Sequence, residues 1–280
     1  MRVYKYLAFL LVAALLVGIG GLVLNAARNT PAVASENWTG YVIHDDRDGV
    51  ITSLGSWTIP KHDCDSSDIV GAWVGLGGLE YAPGPDAKIL EQLGTAITCK
   101  NGSAHVIPFY EQYPKGTVSI PKLSFRPGDV VLAKVAVILA GVQFHLENET
   151  TQQSFDLLVP RVNVDLTSAE CIIEATPPGP REKLTEVDID FSDCEAQIRG
   201  QLLRSIKQLP HNCSITRTSA NHVSGVVTPA HCTGGFSAVI FSGVNAPSIP
   251  EVPIGMPPGF LPATTTTTVP PGNSPLPTIP

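Results

Sequence analysis

IVGAWVGLG (69–77), ILEQLGT (89–95) and HVIPFYEQY (105–113) follow one another through short, turn-rich connectors, and each alternates apolar with polar or glycine positions. A period of two is the mark of a strand whose two faces meet different surroundings. The pattern recurs in NWTGYVI (37–43), ITSLGSWTI (51–59), DVVLAKVAVIL (129–139), VQFHLEN (142–148), SFDLLV (154–159), AECIIEA (169–175), EVDIDF (186–191), NHVSGVV (221–227) and FSAVIF (236–241), with Gly, Pro, Asn and Asp between the runs. So many short strands predict an all-β fold, a jelly-roll or concanavalin-like sandwich of two antiparallel sheets. One segment, 195–209, reads differently: Ile198, Leu202, Leu203, Ile206 and Leu209 fall at helical spacing and predict a short helix.

Three regions flank or form this block. Residues 1–34 carry Arg2 and Lys5 before an apolar run from Leu7 to Leu24 and end in Pro-Ala-Val-Ala, the shape of an export signal cleaved after Ala34. The apolar run approaches the ~20 residues that span a bilayer, so an uncleaved leader would tether the protein to a membrane. Residues 35–244 are expected to be a single β domain. Residues 245–280, rich in Pro and Thr with a TTTTTVPPG core, cannot bury enough apolar surface to fold and read as a disordered tail.

Charge and cysteine usage narrow the function. Three of the 18 Lys+Arg (Arg2, Lys5, Arg28) lie in the leader, while all 25 Asp+Glu lie beyond it, which leaves the exported part at −10. Such a domain, with no Lys/Arg cluster, excludes a nucleic-acid partner. Six cysteines, all after the leader, fit an oxidising, secreted location. Six cysteines leave about 15 pairings open from sequence; Cys64 with Cys99 and Cys213 with Cys232 are preferred because each pair brackets a strand–turn–strand unit, with Cys171 and Cys194 left over to pair across strands. Asn37, Asn101, Asn148 and Asn212 stand in N-x-S/T sequons, glycan acceptors in a glycosylating host.

Two polar residues suit no core. Gln92 in ILEQLGT and Glu170 in SAECIIE (168–174) each point to one face of their strand, while Leu93, Cys171 and Ile173 point to the other. A carboxylate and a primary amide can together take a proton from water, return it to a leaving amine, and stabilise an oxyanion. Glu174 lies four residues from Glu170 on the same face, and Glu91 would replace Gln92 if the register slipped by one residue.

SENWTGYVI, GSWTIP, AWVGLGG, EQLGT, YEQYP, RPGD and SAECIIEA resemble, in order and spacing, the landmarks of the glutamic peptidases, the eqolisin family, across about residues 36–243. The resemblance implies a sandwich of two large antiparallel sheets and an acid endopeptidase acting on polypeptides. Catalysis would fall to Glu170 as base and then acid, with Gln92 stabilising the oxyanion. It implies no metal and no cofactor, and a monomer is expected. Trp38, Trp73, Phe109, Glu111 and Tyr113 match cleft positions where substrate would bind, whereas Trp57 reads as core. The chain departs from the family pattern at three places. Cys171 stands where a tryptophan is typical, Gly77 where an aspartate is common, and Gln112 where an aromatic is usual.

Other readings are weaker. TPAHC (228–232) resembles the histidine segment of trypsin-like proteases, but no aspartate follows His231. EVDIDF suggests the paired carboxylates of a β-glucan glycosidase, but Phe191 stands where a glutamate is required and strand alternation explains the acids. A lectin-like module displayed on a Pro/Thr stalk is the non-enzymatic alternative.

Overall fold

The computed structural model describes residues 32–35, 37–61, 69–78, 89–100, 102–160, 163–175, 185–209, 212–218, 223–229 and 232–242. The leader up to residue 30, the tail, Cys64, Asn101 and His231 lie outside the described residues. Among the described residues sixteen strands form in chain order: β1 (Ala32–Ser35), β2 (Trp38–His44), β3 (Val50–Thr58), β4 (Val70–Gly77), β5 (Leu90–Lys100), β6 (Ser103–Tyr113), β7 (Thr117–Ser119) and β8 (Val130–Ile138), then β9 (Gly141–Asn148), β10 (Gln153–Pro160), β11 (Ser168–Ala175), β12 (Thr185–Ile198), β13 (Arg204–Ser205), β14 (Cys213–Thr218), β15 (Val223–Thr228) and β16 (Phe236–Ser242). They make two large, almost wholly antiparallel sheets, ordered β1-β14-β2-β11-β4-β5-β6-β7 and β10-β9-β8-β3-β12-β16-β15, with β13 beside β12. The expected sandwich is the observed one. Strand β1, parallel to β14, spans the expected cleavage point after Ala34.

Alternation decides which side chains meet between the sheets. In β9, Val142, Phe144 and Leu146 turn inward while Gln143, His145 and Glu147 do not. Tyr41 of the first sheet packs on Phe236 of the second at 4.2 Å between ring centroids, and Phe236 stacks on Phe191, which meets Trp57. Trp57 is thus core, as expected, and its Nε1 donates to Thr95 Oγ1. Glycines mark close approaches between the sheets: a Cβ on Gly225 would come within 1.8 Å of Thr39 Oγ1, and one on Gly55 within 2.7 Å of Val74 Cγ1.

Two disulfides hold the sheets together. Cys171 on β11 joins Cys194 on β12, and Cys213 on β14 joins Cys232 just before β16. Cys99 is disulfide-bonded as well, while its expected partner Cys64 lies outside the described residues. Closing loops of 23 and 19 residues restricts the unfolded chain by about 3 kcal/mol each in the chain-entropy account.

The expected helix at 195–209 does not form. Strand β12 continues to Ile198 with Cys194, Ala196 and Ile198 buried, and only a 3-10 turn, Ile206–Gln208, follows. Leu202, at 78 % exposure, belongs to no apolar face, so the helical spacing was a coincidence between strand alternation and a turn. In the same strand Asp188 and Asp190 point outward while Val187 and Ile189 point in, so these acids line a solvated face rather than a cleft. Asn148 is fully buried; its Nδ2 donates to Ser124 O and Asp129 Oδ2, and its Oδ1 accepts from the N–H groups of Thr150 and Thr151.

Candidate active site

Residues paired in register across a sheet share a face, so one row can be followed from strand to strand. Ser214, Val42, Glu170, Gly75, Gln92, Glu111 and Thr117 form such a row through β14, β2, β11, β4, β5, β6 and β7. Their face is the one turned away from the second sheet, because Tyr41, Val74, Leu93, Cys171 and Ile173 point into the core between the sheets. Gln92, not Glu91, therefore shares the face of Glu170, and the register question is resolved in its favour. Glu170 and Gln92 are separated by a single strand, about 10 Å between Cα atoms at ordinary strand spacing.

The residue between them is Gly75, which adds no side chain of its own, and the Trp73 ring and Leu90 Cδ1 lean over it. A Cβ on Gly75 would come within 2.9 Å of the Trp73 ring and 3.1 Å of the Glu91 carbonyl oxygen. The neighbouring row, Ile172, Trp73, Gly94 and Phe109, supplies one wall. Leu90 and Tyr113 supply the other, and Trp38 meets Trp73 edge to face at 4.9 Å. Val42, Trp73, Leu90, Ala96, Phe109 and Ile172 pack as an apolar cluster separate from the sandwich core, with Trp38 and Tyr113 partly buried against it. All the aromatic residues expected in the cleft are thus on this face.

Gln92 is oriented from behind. Its Nε2 donates to Glu111 Oε2 at 2.7 Å, and Thr117 Oγ1 donates to the same oxygen at 2.8 Å, which leaves Gln92 Oε1 without a partner. Glu111 accordingly acts on Gln92 rather than lining the groove by itself. Glu174 is held by Trp73 Nε1 at 2.9 Å and by Asn37 Nδ2. This engagement sets it apart from Glu170, both of whose oxygens are buried with no hydrogen-bond partner. Ser168 Oγ lies close enough to favour the charged form of Glu170 but makes no hydrogen bond of good geometry.

Seven of the nine buried side-chain polar atoms without partners among the described residues belong to this one face: those of Ser168, Glu170, Gln92, Glu111, Ser214 and Thr216. A buried, unsatisfied polar atom costs about 1–3 kcal/mol, so their concentration marks a surface built for something other than stability. Burial pushes the pKa of Glu170 well above the usual carboxylate range, Ser168 pulls it back, and the Asp165 charge pushes it further. Burial likewise raises Glu111, against the hydrogen bonds from Thr117 and Gln92. It also carries Glu174 to about 8, with Trp73 opposing and the Glu111 charge adding.

The three departures find local explanations. Cys171 faces the core and is spent in the disulfide to Cys194, so it touches neither Glu170 nor the groove. Gly77 has φ +80, and a Cβ there would lie 2.5 Å from the Cβ of Asp165. A side chain at 77 is excluded because Asp165 occupies its place. Asp165 Oδ2 accepts from Gly78 N and Oδ1 from Thr167 N and Oγ1, tying the end of β4 to the turn before β11. Gln112 pairs with Glu91 on the opposite face. Among the described residues no group of three or more His, Cys, Asp and Glu could hold a metal ion.

A family model described as the Peptidase A4 family matches residues 36–232. Among solved structures, scytalido-glutamic peptidase with a transition state analog inhibitor is similar at 20% identity, with a TM-score of 0.56 over 75% of this chain and 99% of that chain. SCP-B, a member of the eqolisin family in a complex with the tripeptide Ala-Ile-His, is similar at 20% identity, with a TM-score of 0.54 over the same 75% and 99%. At this identity the likeness bears on the fold. Among curated proteins nothing matches the chain.

Proposed function

This chain belongs to the Peptidase A4 family, whose members are glutamic-type endopeptidases, and from that premise we propose that Glu170 and Gln92 hydrolyse peptide bonds across Gly75. The observation that carries the reading is a pair of buried side chains with unpartnered oxygens, set in register on either side of Gly75, which adds no side chain of its own between them. The polypeptide lies along the face between the Trp73/Phe109 and Leu90/Tyr113 walls. Because Glu170 and Gln92 are both at 0 % exposure, the substrate has to part the side chains that close over the row.

A water held between the two side chains completes the chemistry. Glu170 takes one proton from the water as its oxygen bonds to the carbonyl carbon. The free N–H of Gln92 Nε2 stabilises the oxyanion, and Oε1 accepts from the water. Glu170 then returns the proton to the amide nitrogen as the C–N bond breaks, so atoms and charge balance over the cycle. In the closed groove burial keeps Glu170 protonated at acidic pH; a water donating to its carboxylate lowers that pKa toward the range where the proton moves both ways. Glu170 must be ionised to take a proton, so an acidic working range requires that lowering of its pKa, and export of the domain is in keeping with its disulfides.

The test is cleavage of a denatured protein from about pH 2 to 7 by the wild type, Glu170→Gln and Gln92→Ala. Loss of about 10³-fold in kcat/KM for the first and 10²–10³-fold for the second is expected from the roles assigned. Undiminished cleavage by both variants would refute the dyad.

A further inference from the structure

Strand β5 presents a second buried carboxyl to its other face. Glu91 lies directly opposite Gln112 across the β5–β6 ladder, and Gln112 Nε2 donates to Glu91 Oε1 at 3.3 Å. Glu91 is 2 % exposed and its Oε2 has no partner. The hydrolytic chemistry uses neither residue. Nor does the fold require them, since an apolar pair would fill the same space without leaving an oxygen unsatisfied.

The pair lines a cavity of about 320 Å³, together with Ile89 and Tyr113 and with Lys115 and Asn163, which are exposed. That volume is at the small end of ligand sites, enough for one amino-acid-sized group. Lys115 and Tyr113 are the other titratable groups that line it; Gln112 and Asn163 are neutral. Burial raises Glu91 to about 7, against the Gln112 hydrogen bond and the Lys115 charge, so at acidic pH the carboxyl is neutral. With Oε1 occupied as an acceptor, the proton belongs on Oε2. The cavity then offers a buried O–H donor and a cation, and it lacks only an acceptor.

We propose that this cavity binds a carboxylate, held by the Glu91 hydroxyl and the Lys115 ammonium. The choice of a peptide's carboxylate, either an acidic side chain of the substrate or the C-terminus of a product, rests on the peptidase reading. Tyr113 lines the cavity and also closes one wall of the groove, so a bound peptide can reach both. Above neutral pH Glu91 ionises, loses its donor and repels the carboxylate, so binding weakens as pH rises.

Titration calorimetry on the full chain, independent of hydrolysis, tests this with four probes. N-acetylalanine is compared with N-acetylalanine amide, and N-acetylglutamate N-methylamide with N-acetylglutamine N-methylamide. At pH 5 at least one of the two acids should bind 10-fold or more tightly than its amide, and which one does identifies the source. Glu91→Leu should abolish that preference and Lys115→Met should weaken it several-fold. The wild-type affinity should fall 10-fold or more between pH 5 and 8, whereas Glu91→Gln, which keeps an N–H donor at every pH, should bind with little change over the range. Equal binding of acids and amides, or a preference that survives Glu91→Leu, overturns the proposal. Failure of the dyad would appear separately, as cleavage that persists in Glu170→Gln.

Discussion

At the scale of single residues, the substitutions that set this chain apart from its family are paired rather than scattered. Cys171 answers to Cys194, Gln112 to Glu91, and Gly77 to Asp165. The Cys171–Cys194 pair was legible as what remains once the other four cysteines are matched, whereas Glu91 and Asp165 were not legible as partners, because only the fold brings them to Gln112 and Gly77. Asp165 had a local signal, the Asp-x-Thr turn before β11, but nothing in the sequence tied it to Gly77. Glu91 yields a prediction about stability. Its folded pKa of about 7 lies above the ordinary 4.5, so the folded state binds more protons in that window and loses stability as pH rises through it. The shift corresponds to on the order of 3 kcal/mol. Glu91→Gln is expected to match the wild type at pH 4 and to exceed it by roughly that amount at pH 8, measured by denaturant unfolding.

At the scale of elements, the site is a matter of register. Strands β11, β4 and β5 are buried on both faces where they cross, and alternation within ILEQLGT alone could not say which polar residue faced which way. The ladder from Glu170 through Gly75 to Gln92 decides it. Most strands were readable from period-two patterning, and so were the sandwich and the Gln/Glu pair. Strand β14, with Ser214 and Thr216 on the groove face, was not, because CSITRT is short and joins the sheet beside β2 from far along the chain. Gly75 carries the prediction at this scale. An added methyl would meet the Trp73 ring and fill the space between the dyad side chains, so Gly75→Ala is expected to lower kcat/KM by 10-fold or more. Activity assays beside circular dichroism separate this from unfolding, and full activity would show that a glycine is not needed there.

At the scale of the whole molecule, raised carboxyl pKa values add up. Glu91, Glu111, Glu170 and Glu174 all favour protons in the folded state, with burial as the first cause in each. For Glu174 the contribution is full below the ordinary 4.5 and is lost as pH rises through about 8, a change of about 5 kcal/mol. The unfolding midpoint of the full chain is therefore expected to fall from pH 4 to pH 8, and Glu174→Gln to flatten that slope; a midpoint that rises over the interval would contradict this account. The two inter-sheet disulfides do not titrate, while His44, whose pKa burial lowers, opposes the trend as a single group against these four carboxyls. Asn148 bears on a different question, that of making the protein. Its amide nitrogen is wholly enclosed and committed to Ser124 and Asp129, so an oligosaccharide attached there during synthesis would leave no room for β8, β9 and the turn after Asn148 to close. A bacterial expression strain avoids that obstacle, whereas a yeast or insect-cell one would need the Asn148 sequon removed at Thr150, whose hydroxyl accepts the Val130 N–H.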